Sequence, residues 1–427
     1  MPHYFYKCFE CNTEYDSGFI EDDFRYLCPR CGSAEKNKPL RGVLLIGYDY
    51  ESLRKKLSPR KILSSSPGQI SAYPELLPLQ YSFYNKSVFD RLNDCLAEKI
   101  SLPSHPVLDY GKLKIFDDTR NPTLSLKDRA SILVAVKALQ MRITELSAAS
   151  TGNAGSSIAG ICARFGMKSH IFVPMRIPSA KRTQIQIYGA NLYVIQGDYD
   201  QAFDLCLEVS NDKRWYNRNT AYNPLTIEGK KTTAFDIFIS NKGKLPEYIF
   251  IPSGDGVILA GIFKGFNDLL KLGWIDKLPR LMCVQAEGSD AIIRYIEEHT
   301  FEYHSPHSVA DSICAGAPRN LYMAAAAIKK SCGEGIRVSD VEILNAQCIA
   351  AREFGILVEP AASASLAGYL KYKDQNPEIR EKEAILIFTG NGLKDAESLG
   401  QKIPEFKSYS PNDIKALITD NSFRTKI

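Results

Sequence analysis

Residues 143–157 read ITELSAASTGNAGSS. A strand-forming run stops at Ala149, Gly152 permits a turn that few residues can make, and small residues compatible with a helix begin at about Ala154. A strand that turns directly into a helix is the repeating unit of a parallel α/β sheet. The turn also carries chemistry. Ser150, Thr151 and Asn153 present hydroxyls and an amide, and the open backbone amides of a helix start favour an anion such as a carboxylate. Taken alone, a plain strand–helix turn with a capping residue explains the stretch equally well.

The same pattern recurs outward from it. KSHIFVP (168–174), NLYVIQG (191–197), YIFIPSG (248–254), LMCVQAEG (281–288) and AILIFTGNG (384–392) are short apolar runs. Between them lie helical stretches at 127–140, 154–165, 257–271 and 339–353. Continuous apolar strands separated by helices imply a parallel sheet buried on both faces, in which ligands sit at the carboxyl ends of the strands. Two further strand ends are unusual. SGDGVILAG (253–261) is a glycine-rich loop entering a helix, which suits a phosphate. TGNGLKD (389–395) places a hydroxyl before a glycine turn. Upstream, NPTLSLKDR (121–129) sets Lys127 after a run of small polar residues. It is either a solvated charge on an amphipathic helix or an amine with chemistry to do. One site holding an amine, a carboxylate loop, a phosphate loop and a hydroxyl is what pyridoxal 5′-phosphate requires: an amine for its aldehyde, amides for its phosphate, a partner for its ring nitrogen.

NPTLSLKDR, STGNAG, EPAASASLAG (359–368) and TGNGLKD together resemble the fold-type II pyridoxal-phosphate enzymes, and most closely the threonine synthase family, in order and spacing over roughly residues 70 to 400. The resemblance implies a two-lobed α/β fold, tryptophan synthase β-like, with the cofactor between the lobes. It implies that Lys127 bonds the cofactor covalently and then serves as the base for the α-proton, and that Asn153 meets the ring oxygen. Ser150, Thr151, Gly152 and Asn223 would bind the substrate, and Ser253, Gly254, Asp255, Gly256 and Val257 would wrap the phosphate. Asp255 either turns its carboxylate away or caps the following helix. Thr389 would face the ring nitrogen. A hydroxyl cannot protonate that nitrogen as a carboxylic acid can, which favours elimination or replacement over transamination. Leu124 stands where the family often has glycine, Leu126 where Phe is common, and Asn391 where histidine is frequent.

The leading reading is a carbon–oxygen lyase that turns O-phosphohomoserine into threonine and phosphate. The alternatives are β-elimination or β-replacement on another activated amino acid, such as a phosphorylated or acylated serine, and a non-enzymatic zinc-ribbon binding protein. Thr226, in YNPLTIEGKKT (222–232), occupies a position where the family commonly carries a phosphate-holding arginine. O-Phosphohomoserine is therefore expected to be used poorly and Thr226→Arg to improve its use, with Asn223, Lys181 and Arg182 as possible substitutes. The last two also read simply as exposed charges.

Cys8, Cys11, Cys28 and Cys31 form two C-x2-C pairs, a spacing suited to a structural Zn²⁺ ribbon. No ribbon residue is expected at the site, so removing the metal is expected to leave the cofactor in place. The other seven cysteines read as buried thiols. SPRKILSSSPGQ (58–69) reads as a linker or extended arm. The chain divides into a ribbon (1–40), an arm (41–104), a catalytic body (105–405, with a small lobe at about 129–230) and a tail (406–427). A net charge of +4 with scattered basic residues argues against a nucleic-acid surface, and no apolar run is long enough to suggest a membrane span. A cytoplasmic homodimer acting on a small amino acid is the expectation.

Overall fold

The computed structural model describes residues 3–79, 101–103, 107–150, 152–175, 177–197, 199–396 and 408–419. Its largest sheet runs Gly335–Val338, Arg280–Ala286, Tyr248–Pro252, Ala384–Phe388, Leu113–Asp117 and Leu108–Tyr110 from edge to edge. Neighbours are parallel except for the last pair. A second, wholly parallel sheet runs Asn191–Ile195, Lys168–Pro174, Glu145–Ala149 and Tyr216–Asn217.

The apolar runs explain why both faces of the large sheet are covered. Ile249, Ile251, Leu281, Cys283, Ile385 and Ile387 enter one core. Their alternating neighbours Phe250, Met282, Val284, Leu386 and Phe388 enter another, against the helix Pro360–Gln375. Each such side chain contributes about 1.5–3 kcal/mol on full burial. Helices at Lys127–Gln140, Asn153–Phe165, Val257–Lys271 and Asp340–Phe354 follow the expected positions. Ser339 and Glu342 close the last of these with a reciprocal capping box.

A third sheet, ordered Glu14–Tyr15, Tyr4–Cys8, Leu44–Tyr48, is antiparallel. Tyr4, Tyr6, Cys8, Leu44, Ile46 and Tyr48 alternate inward and join the larger core. Polar clasps fasten this sheet further. Tyr48 Oη donates to Glu228 Oε2 at 2.7 Å, and Lys137 Nζ pairs with Glu21 Oε2 at 2.8 Å. Residues 58–69 are not a free linker: Pro59–Leu63 is helical with Ile62 buried, and Gly68 N donates to Asp236 Oδ1 at 2.9 Å.

Residues 1–395 form one unit and 396–427 another. In the second, Pro411–Thr419 is a helix capped by Ser410 and Asp413. No helix among the described residues is long and apolar enough to cross a membrane. Of the scattered cysteines, Cys162, Cys206 and Cys283 are buried, Cys314 and Cys348 partly so, and Cys332 is exposed. Cys332 leaves the core because it turns the chain after the helix Leu321–Lys330, at φ +51°. Cys95 lies outside the described residues.

Candidate active site

Lys127 opens the helix Lys127–Gln140, and the helix is no solvated surface element: Asp128 to Ala138 are all buried. The preceding turn is pinned to the end of the strand Ala384–Phe388. Leu126 N donates to Thr389 O at 2.9 Å, and Asn391 N to Leu124 O at 3.1 Å. Leu124 stands at φ +66°, a left-handed conformation that costs a non-glycine residue roughly 1–2 kcal/mol. Asp128 braces the turn from within, accepting from Thr123 N at 2.7 Å, Thr123 Oγ1 at 2.5 Å and Ser157 Oγ at 2.6 Å. Arg129 is buried between Asp118 and Asp236, each 2.7 Å away.

Lys127 faces a cavity of about 540 Å³ and is otherwise enclosed by protein. Burial pushes its amine down to about 8. Glu359 and Asp255 oppose that shift, while Arg218 and Lys181 add to it.

Ser150, Gly152, Asn153, Ser253, Gly254, Asp255, Gly256, Val257 and Thr389 line the same cavity. Ser150, Gly152 and Asn153 arrive from the carboxyl end of Glu145–Ala149, and Ser150 Oγ accepts from Gly152 N at 3.1 Å. Thr151 lies outside the described residues. The 253–257 loop follows Tyr248–Pro252 and requires its glycines. Gly256 has φ +79°, and a Cβ on Gly254 would stand 2.7 Å from Ile313. Gly256 caps the helix Val257–Lys271 without a side-chain bond, so the first amides open to the cavity. Asp255 resolves in favour of turning away: Oδ1 accepts from Arg319 N at 3.2 Å, and its carbonyl from Asn320 N at 3.0 Å. Thr389 is buried in the wall of the cavity, its hydroxyl without a hydrogen bond among the described residues.

Asn223 does not join this set. Its Nδ2 donates to Asn217 O at 2.8 Å and its Oδ1 accepts from Leu225 N at 2.9 Å. Both ends of the amide are spent on starting the helix Leu225–Ser240. Thr226 is also buried away from the cavity. Its Oγ1 accepts from Ala221 N at 3.2 Å and donates to Asn223 O at 2.8 Å. Lys181 is buried, with Nζ 3.1 Å from Asp311 Oδ2 and 3.3 Å from Ser312 Oγ, whereas Arg182 is exposed.

Several lining residues carried no assigned role in the sequence, Glu359, Lys230, Lys36 and Asn37 among them. Glu359 begins a quoted motif, and its Oε1 accepts from Asn153 Nδ2 at 2.7 Å. Lys230 lies one helical turn beyond Thr226. Nothing in the sequence around it sets it apart from the neighbouring Lys231. Lys36 and Asn37, just past the fourth ribbon cysteine, also line the cavity. That corrects the expectation that the ribbon stands clear of the site. Leu40 N donates to Arg319 O at 3.2 Å, and a turn anchored in this way is set by tertiary contact and not by local pattern.

The Sγ atoms of Cys8, Cys11, Cys28 and Cys31 all lie within 4.8 Å of one another. Cys8 and Cys31 are 3.4 Å apart, and Cys11 and Cys28 3.6 Å. A tetrahedral zinc with Zn–S bonds of about 2.3 Å would space its sulfurs at roughly 3.8 Å, so the donor set fits such an ion.

Residues 111–390 match the family described as pyridoxal-phosphate dependent enzyme. The chain is 31% identical over 402 residues to a threonine synthase of Methanocaldococcus jannaschii, covering 92% of this chain and 93% of that protein. It is 34% identical over 347 residues to a threonine synthase of Mycobacterium tuberculosis, covering 81% and 92%. Among solved structures, maize serine racemase superposes with a TM-score of 0.59 at 17% identity, covering 72% of this chain and 88% of that one. Threonine deaminase isoform 2 of Solanum lycopersicum superposes at 0.59 and 19%, covering 88% and 98%. These two likenesses concern the fold alone.

Proposed function

The chain belongs to the fold-type II pyridoxal-phosphate-dependent enzymes and, among them, to the threonine synthase family, and we propose that it converts O-phosphohomoserine and water into threonine and inorganic phosphate. It is a pyridoxal-phosphate-dependent lyase of the elimination or replacement kind. The convergence of Lys127, Asn153, the 253–257 loop and Thr389 on one cavity of about 540 Å³ supports the cofactor chemistry, and the likeness to threonine synthases over most of the chain is what supports the substrate.

The residues present fit the cofactor. The glycine loop offers amides where any Cβ would collide, the Thr389 hydroxyl is uncommitted, and Asn153 Oδ1 is buried without a partner. When bound, pyridoxal 5′-phosphate supplies an aldehyde for amines and a ring that delocalises an electron pair.

Lys127 Nζ would hold the cofactor by its aldehyde and, as a free amine, would take the substrate's α-proton. An amine held near 8 is partly neutral at physiological pH and so suits a base. The amides of Gly254 to Val257 take the cofactor's phosphate. Ser150 and Gly152, with Thr151, receive the substrate carboxylate. Asn153 keeps its ring contact in place through Glu359. Thr389 would offer the ring nitrogen a hydroxyl and no acid, a pairing that disfavours transamination. Cys8, Cys11, Cys28 and Cys31 hold Zn²⁺ as a structural ion, and a cytoplasmic homodimer is the working assembly.

The test is phosphate release from O-phosphohomoserine with threonine identified as the product. Release from O-phosphoserine but not from O-phosphohomoserine would replace this reading with β-elimination on a serine derivative.

A further inference from the structure

Lys230 is fully buried and lines the cavity beside Lys127 and the 253–257 loop. Its position follows from close helix packing. A Cβ on Gly261 would stand 2.6 Å from Lys230 Cβ, so the helices Leu225–Ser240 and Val257–Lys271 meet almost backbone to backbone there. Gly261 lies about one turn past Val257, so Lys230 is carried alongside the uncapped start of its neighbour helix.

The only hydrogen bond of Lys230 Nζ among the described residues goes to Thr226 O of its own helix, at 3.0 Å. No carboxylate among them pairs with it. The next residue makes the contrast: Lys231, equally buried, is held by Glu228 at 2.5 Å and Asp268 at 2.9 Å. Asp255, the acidic residue of the nearby loop, is turned toward Arg319 N. Arg218 adds a second buried cation with Nη2 unpartnered. Buried cations without a counter-charge are costly and are ordinarily paired.

We propose that Lys230, together with the open amides at the start of the helix Val257–Lys271, forms a subsite for the dianion of a phosphate monoester. The proposal rests on reading the cavity as a pyridoxal-phosphate site. The monoester is then the cofactor's own phosphate or the substrate's. Burial, with Arg218 and Lys127 nearby, holds the Lys230 amine well below the ordinary lysine range, and an entering dianion opposes that shift.

The experiment titrates the full-length apo chain with pyridoxal 5′-phosphate and separately with pyridoxal, in wild type, Lys230→Gln and Lys230→Met. Loss of one charge-assisted contact should weaken pyridoxal 5′-phosphate binding about ten- to a hundred-fold and leave pyridoxal binding unchanged. If instead cofactor binding is unchanged and competitive inhibition by inorganic phosphate weakens by a similar factor, the substrate's phosphate is the occupant. Lys230→Met replaces the amine with an apolar chain of similar length, which buried sites tolerate, so a folded variant is available for the comparison. Unchanged behaviour toward both probes overturns the inference. A wild type that binds no pyridoxal 5′-phosphate overturns the cofactor reading along with it, whereas a wild type that binds it no more tightly than Lys230→Gln, with inhibition also unchanged, overturns only the role of Lys230.

Discussion

Asn153 Nδ2 donates to Glu359 Oε1 at 2.7 Å, and this bond joins the helix that follows one sheet to the helix packed on the other. Glu359→Ala would leave the Asn153 amide only a long 3.4 Å bond to Ser312 Oγ, and its Oδ1 is already without a partner. A loss of about 1–3 kcal/mol is expected, measured by denaturant unfolding of the apo protein. Asn153→Ala combined with Glu359→Ala should cost less than the sum of the two single changes, because the groups act on each other. Strict additivity would show that the bond does not form in solution.

Lys127 sets the pH behaviour. Its amine, at about 8, is neutral above that pH and charged below it. Only the neutral amine attacks an aldehyde, so capture of pyridoxal 5′-phosphate should speed up as pH rises to about 8 and then level. An ordinary lysine would keep gaining to about 10.5. Glu359 raises the Lys127 pKa, so Glu359→Gln should shift the midpoint to lower pH. Stopped-flow absorbance gives both curves, and a wild-type rate still climbing at pH 10 would contradict the assignment.

The same shift burdens the apo fold. Between about 8 and 10.5 the unfolded chain binds more protons at Lys127 than the folded one does. The penalty is therefore complete below about 8 and relieved as pH rises toward 10.5. Lys127→Met should melt above the wild type at pH 7, with the difference shrinking as pH approaches 10.5. Borohydride reduction after cofactor addition should label Lys127 in the wild type, and mass spectrometry should find no adduct at residue 127 in the variant.

Thr226→Arg, attractive from the sequence, should fail. The Thr226 hydroxyl is fully buried and committed to Ala221 N and Asn223 O. Forcing a guanidinium into that space should cost about 1–3 kcal/mol or more and bring no faster phosphate release. A variant with wild-type melting and improved turnover would show that the start of the helix Leu225–Ser240 can open.

Zinc should be found at about one ion per chain, in keeping with a four-thiolate site, and lost in Cys28→Ser. Because Lys36 and Asn37 line the cavity, the variant should keep its cofactor absorbance yet show a raised KM. An unchanged KM would mean that the wall holds its shape without the metal.

The strand ends and their glycine turns were legible because the demands of a helix start and a phosphate loop fall on consecutive residues. Lys127 could be singled out for the same reason, through NPTLSLKDR. Lys230 and Glu359 were opaque because their meaning lies in which helix packs against which. Nothing local separates Lys230 from Lys231, yet one meets two carboxylates and the other a cavity. Asn223 and Thr226 misled for the converse reason: their polar groups serve the backbone of their own turn.

The pairing of Tyr4–Cys8 with Leu44–Tyr48 makes the amino terminus a poor place to trim the protein for expression. Among the described residues, Leu44–Tyr48 has no other strand partner. A product starting at residue 41 would present it as a bare, apolar β-edge, with Leu44, Ile46 and Tyr48 still committed to the main core. Such edges recruit other chains, so this truncation should yield aggregates and not a smaller soluble enzyme.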